Sequence, residues 1–139
     1  MSKKLATDIV DQMYNKDDFS QWLGIQRIEE APGKSVLQMT VRKEMTNGFD
    51  IAHGGISYAI ADSALAFASN SEGRHAVSIE TSISHTLAIK TGDIITAEAH
   101  RESLSHKIGI YKVSVKNQNG EIVALFKGTV YRKSASWEE

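Results

Sequence analysis

The run from Gly54 to Ser69 reads GGISYAIADSALAFAS, and its character decides the architecture of the whole chain. Alanine and other strong helix formers fill it, no proline interrupts it, and Asp62 is its only charged residue. The composition predicts a helix. Apolar residues fall on nearly every face, so such a helix has to be enclosed by other elements. Downstream, beyond the polar Asn70-Ser71-Glu72-Gly73-Arg74, the pattern changes to period two: Val77, Ile79, Thr81 and Ile83 on one side, Ser78, Glu80, Ser82 and Ser84 on the other. That alternation predicts a half-buried strand. Three further strands are expected near Asp93–Arg101, Ile108–Lys116 and Glu121–Arg132, and Asn119-Gly120 signals a two-residue type I′ hairpin before the last.

Upstream of the central run, Leu5, Ile9, Val10, Met13 and Tyr14 recur at helical spacing and predict a packing helix over about residues 3–16. A charged break at Lys16-Asp17-Asp18 follows. Trp22, Leu23, Ile25 and Ile28 then begin an extended segment that Ala31-Pro32-Gly33 turns into a second strand, Val36–Val41. Residues 134–139 are expected to form a loose tail. The order is helix, two strands, one very apolar helix and four strands. A six-stranded antiparallel sheet wrapped around the central helix satisfies it, an α+β architecture, and strands in succession exclude a Rossmann-type alternation. At 139 residues one domain, 1–139 with its core at about 20–133, is expected.

Composition removes several function classes. Sixteen Lys and Arg against seventeen Asp and Glu leave a formal charge of -1, so no global electrostatic drive toward nucleic acid exists. Zero Cys excludes disulfides, CxxC redox chemistry, thiolate zinc sites and a cysteine nucleophile. No stretch approaches the roughly 18 apolar residues of a membrane span, and the N-terminus has no signal-peptide pattern, so a cytoplasmic protein is expected. The five histidines form no H-x-H or H-x3-H pair, so no metal is expected.

Two features could carry chemistry. Asp62 has no Lys or Arg near it in sequence between Arg42-Lys43 and Arg74. It is either a capped structural acid or a desolvated carboxylate whose raised basicity suits a general base or nucleophile. His53-Gly54-Gly55 enters the helix. Its glycines either merely allow a tight turn, or expose free N–H groups at the positive end of the dipole, suited to a developing oxyanion. His53 is read as an orienting residue rather than as first-turn packing or a general acid. Gly54 and Asp62 lie about 12 Å apart along one helix, too far to act on a single carbonyl. A two-fold dimer with the helices side by side and antiparallel would bring Gly54 of one copy near Asp62 of the other, giving two equal sites.

The run Asn47-Gly48-Phe49-Asp50-Ile51-Ala52-His53-Gly54-Gly55, followed by Ala61-Asp62, resembles the signature of hotdog-fold acyl-CoA thioesterases of the PaaI type. Ala76-Val77-Ser78-Ile79, Thr91-Gly92-Asp93 and Val123-Ala124-Leu125-Phe126-Lys127-Gly128 extend the resemblance over roughly residues 20–133. The resemblance implies a hotdog fold and a thioesterase without metal or bound cofactor, coenzyme A entering only as part of the substrate. It also implies a dimer that often pairs into a tetramer. By position, Asp62 would activate water or attack directly, Gly54 would donate its N–H to the thioester oxygen, Asn47 would polarise or position the carbonyl, and Ser78 would help hold the water. Gly55 and His53 would support the loop. The chain departs from the family pattern at Leu87-Ala88 and at His85, where acyl or pantetheine contacts would fall. Lys107 and Arg132 are candidates for the phosphates of coenzyme A. The expected activity is hydrolysis of a small or aromatic acyl-CoA, with no nucleic-acid or membrane partner. The alternatives are a non-catalytic acyl-CoA-binding hotdog protein and a hotdog 3-hydroxyacyl-thioester dehydratase, which would need a second acid opposite His53.

Overall fold

A computed structural model describes residues 3–138. Helix α1 (Lys3–Tyr14) and the short α2 (Asp18–Trp22) precede the hairpin β1 (Gln26–Ala31) and β2 (Lys34–Thr40). Helix α3 (Gly54–Asn70) follows, then β3 (Arg74–His85), β4 (Ile94–Leu104), β5 (Ile108–Lys116) and β6 (Ile122–Ser136). The strands form one six-stranded sheet in the order β1-β2-β4-β5-β6-β3, with every neighbouring pair antiparallel. This is the hotdog architecture, with α3 as the filling. Its Ile60, Leu65 and Phe67 are fully buried against Leu37 of β2, Ile95 of β4, Val113 and Val115 of β5 and Val130 of β6. Burial of side chains of this size contributes about 1.5–3 kcal/mol each, which makes α3 the anchor of the core.

Strand β6 approaches the helix closely at Gly128, where a Cβ would overlap the Leu65 side chain. The C-terminal end of α3 is tied to the sheet through Asn70. Its Nδ2 donates to the Ala76 carbonyl at 3.1 Å, and its Oδ1 accepts from Trp137 Nε1 at 3.0 Å.

Five expectations need correction. Trp22 does not begin an extended segment but closes a short helix from Asp18, because Asp17 caps it: its Oδ1 accepts the Ser20 N–H at 2.9 Å and its Oδ2 accepts the Ser20 hydroxyl at 2.6 Å. Strand β3 is not half-buried in its middle. It lies at the sheet edge with a bulge between Ser78 and Glu80, leaving Val77 and Ile79 45% and 58% exposed, while period two holds at the partly buried Thr81 and Ile83. The β5–β6 connection is not type I′, since only Gly120 has positive φ. Gly120 N–H bonds the Asn117 carbonyl at 3.0 Å in a three-residue loop. The expected tail is largely strand, β6 running to Ser136 with Trp137 stacked on His75 at 4.1 Å; Glu139 lies outside the described residues. Finally, α3 is not enclosed all round. Gly55, Tyr58, Asp62 and Ala66, at helical spacing, form a stripe that stays partly open.

Candidate active site

Asp62 sits on that open stripe, between two cavities. One, of about 360 Å³, is roofed by α2 and lined by Phe19, Ser20, Gly55, Tyr58 and Ala59. The other, of about 290 Å³, opens toward β3 and is lined by Ala76, Val77, Ser78 and Val130. The Asp62 carboxylate has no hydrogen bond or ion pair with any described residue. Burial raises its pKa above the ordinary aspartate value, and the negative charge of Asp17 raises it further. A structural acid would show a cap or a cation. Asp62 has neither, and its setting increases its affinity for a proton.

The other end of the helix is prepared by a closed loop. Thr46 bridges Ala52, Asn47 N–H donates to the Ile51 carbonyl at 2.8 Å, and Ala52 N–H donates to the Ile89 carbonyl at 2.7 Å. Asp50 accepts a left-handed conformation, φ 61°, to make the turn. Asn47 Oδ1 accepts the Phe49 N–H at 2.9 Å, which fixes the side chain and leaves its amide nitrogen available. His53 is the N-cap residue. Its backbone N–H bonds the Met45 carbonyl at 2.9 Å, and its exposed side chain does not cap the helix. The N–H groups of Gly54 and Gly55 meet no acceptor among the described residues, so two donors at the positive end of α3 face outward. A Cβ at Gly54 would lie 3.0 Å from His85 Nε2, a tight contact to which the ring would have to yield, whereas at Gly55 it would meet open space.

The structure therefore brings Asp62 and Ser78 together in one cavity and gathers Asn47, His53 and Gly54 at the mouth of α3. It does not join the two groups at one point within a chain. Lys107 and Arg132 lie elsewhere again. Arg132 N–H donates to the Lys107 carbonyl at 2.8 Å, its guanidinium donates to the Ser105 carbonyl at 2.6 Å, and Arg74 reaches the His106 carbonyl beside them. This basic cluster stands at the Arg74 end of β3, beside the C-terminal end of α3, whereas Gly54 opens that helix at its other end, roughly 24 Å away along its axis. Among the described residues no three His, Asp or Glu side chains converge as a metal site would require.

Sequence reasoning missed Asp17 and Phe19, which line the cavity of Asp62. The signal was present: Asp17 three residues before Ser20 is a capping spacing. His85 was visible only as a departure from a family pattern. Its contact with Gly54, across the gap between strand and helix, is a tertiary fact.

Comparison with known proteins places this geometry. Residues 49–124 match the family model described as Thioesterase superfamily. The chain is 37% identical over 120 residues to acyl-coenzyme A thioesterase PaaI of Escherichia coli, covering 86% of each chain. It is 27% identical over 121 residues to human acyl-coenzyme A thioesterase 13, covering 84% of this chain and 86% of that one. The solved structure of the E. coli PaaI protein from the phenylacetic acid degradation operon superposes with a TM-score of 0.95 at 33% identity, covering 98% of this chain and 99% of that one. The chain belongs to the thioesterase superfamily, on a hotdog fold. Within it, the identity to PaaI and the near-complete overlap of structure make it a thioester hydrolase of PaaI type.

Proposed function

We propose that the protein hydrolyses small or aromatic acyl-CoA esters to the free acid and coenzyme A, as a homodimer in the cytoplasm whose two sites each use both subunits. The observation that carries this reading is the unpartnered Asp62 carboxylate, raised in basicity and sharing a cavity with the Ser78 hydroxyl. Asp62 removes a proton from a water held by Ser78. The water oxygen bonds the thioester carbon, the carbonyl oxygen takes up negative charge against the N–H of Gly54 of the partner subunit, and collapse breaks the carbon–sulfur bond. The thiolate leaves and the proton on Asp62 returns to solvent. Asn47 positions the carbonyl; Gly55 and His53 hold the loop that presents Gly54. A thioester is activated enough for one base and an oxyanion hole to suffice, so no metal or cofactor enters the scheme.

Three features support the dimer. The outer edge of β3 has no partner strand among the described residues and carries exposed Val77 and Ile79. Two of the four residues of the open stripe of α3, Gly55 and Ala66, are small and allow a second helix to approach at their positions. Tyr58, midway between Gly54 and Asp62, hydrogen-bonds Thr81 at 2.6 Å, so the centre of the stripe and the centre of the edge strand coincide, as one two-fold axis requires. Antiparallel pairing of β3 about that axis also carries the Lys107 and Arg132 cluster toward the mouth of the other subunit's α3, where the phosphates of coenzyme A would lie. Two such dimers are expected to associate further. The aromatic walls Phe19 and Tyr58 of the larger Asp62 cavity suit an aryl or short acyl group.

A panel of acyl-CoA esters with free-thiol detection tests the proposal. Thiol release is expected, and Asp62→Asn is expected to lower kcat about 10²–10⁴-fold while coenzyme A still binds. An unchanged rate in that variant would refute the mechanism, and dehydration without thiol release would assign the site to the competing chemistry. With labelled water under single turnover, the label is expected in the released acid and not in Asp62.

A further inference from the structure

His85 has no part in the scheme above, yet its imidazole lies against the oxyanion end of α3. Its Nδ1 is 3.2 Å from Ser57 Oγ, and Ser57 Oγ in turn donates to the Gly54 carbonyl at 3.2 Å. With the hydroxyl proton committed to that carbonyl, Ser57 Oγ meets the imidazole as an acceptor, so Nδ1 carries the hydrogen. That fixes the ring. Nε2 is then an acceptor without a partner among the described residues, held 3.0 Å from the point a Gly54 Cβ would occupy. A buried-edge helix position and a strand terminus thus spend two side chains, Ser57 and His85, on aiming one lone pair across Gly54.

What that lone pair can bind follows from the substrate's chemistry. A thioester group offers acceptors only, at its oxygen and sulfur, so the reacting centre has nothing to give Nε2. The first donor in an acyl-CoA is the amide N–H of the cysteamine unit, two methylene groups beyond the sulfur. With the carbonyl oxygen on the Gly54 N–H, the cysteamine nitrogen, four bonds beyond the carbonyl carbon, falls within reach of an acceptor held as close to Gly54 as His85 Nε2 is. We infer that His85 is a substrate-binding residue whose Nε2 accepts the cysteamine amide N–H of the pantetheine arm, held in that tautomer by Ser57. The inference rests on the thioesterase reading and adds to it the group that recognises the thiol half of the substrate rather than the acyl half. A hydrogen bond made equally in the ground and transition states acts on KM and not on kcat.

Two esters of one acyl group separate this role from a structural one: the N-acetylcysteamine thioester, which keeps the amide, and the propanethiol thioester, which lacks it. His85→Phe preserves a ring over Gly54 and removes the acceptor; His85→Gln restores an acceptor. His85→Phe is expected to raise KM for the amide-bearing ester about 3–10-fold more than for the propyl ester, with little difference in kcat, and His85→Gln to recover most of that gap. Equal effects on both esters, an effect confined to kcat, or no recovery with Gln would overturn it. If the wild-type protein hydrolyses no thioester, the thioesterase reading fails on that result alone. Calorimetric titration with free coenzyme A then decides the His85 claim by itself: weaker binding by His85→Phe and recovery by His85→Gln uphold it, and equal affinities overturn it. Exposed placement of His85 at the end of β3 keeps both variants foldable, and a thermal melt of each checks this.

Discussion

Asp62 shows how surroundings set a residue's affinity for a proton. Its pKa in the folded protein lies above the value it would have unfolded, because burial and Asp17 both disfavour the charge. The native state therefore holds the proton more tightly than the unfolded chain. The stability this confers is complete below the unfolded pKa and is lost as pH rises through the folded one, so above it the ionised acid destabilises the fold. Asp62→Asn is expected to raise the melting temperature at pH 8, with a gain over wild type that shrinks as the pH falls into the carboxylate range; a lower melting temperature at pH 8 would contradict this. Asp17→Asn keeps the cap of α2 and removes the neighbouring charge. Its kcat–pH profile is expected to have an acid limb displaced to lower pH than that of wild type. An unmoved limb would show that Asp17 does not tune the base.

At the scale of elements, α3 sets the positions of everything else. The glycine at 128 lets β6 close on Leu65, and Gly128→Ala is expected to destabilise the protein by about 1–3 kcal/mol in denaturant titration, as overpacking does elsewhere. Most of this layer was legible in the sequence. The central helix announced itself by an apolar circumference, and the Pro32-Gly33 turn appears where its residues demand it, with Gly33 at φ 76°. Three features were illegible for physical reasons. Helix α2 has five residues, too few to show a period, and only the cap at Asp17 betrays it. The exposure of Val77 and Ile79 depends on β3 being last in the sheet order, and an alternating pattern cannot reveal a strand's place in a sheet. The path of residues 134–136 is set by pairing with the start of β3, a contact between distant segments. The site divides along the same line. Asp62 and Gly54 stood out as candidates because one charge in an apolar helix and two glycines at its entry are local anomalies. The aim of His85 and the roof supplied by Phe19 are products of packing.

At the scale of the molecule, the described chain keeps the two parts of the proposed site, Asp62 and Gly54, apart along its own helix. Replacing Val77 and Ile79 together by Lys puts charge on the exposed edge and is expected to yield a monomer in sedimentation with its activity lost; an active monomer would show that one chain is enough. The most direct measurement is complementation. Asp62→Asn removes the base, and Gly54→Val blocks the oxyanion end against His85, so each homodimer is expected to be inactive. In an equal mixture allowed to exchange subunits, half of the dimers are mixed, and each mixed dimer keeps one site with an intact Asp62 facing an intact Gly54, so activity is expected to return to about a quarter of wild type. Two inactive preparations that remain inactive after exchange, with mixed dimers shown to be present, would contradict a site shared across the two-fold axis.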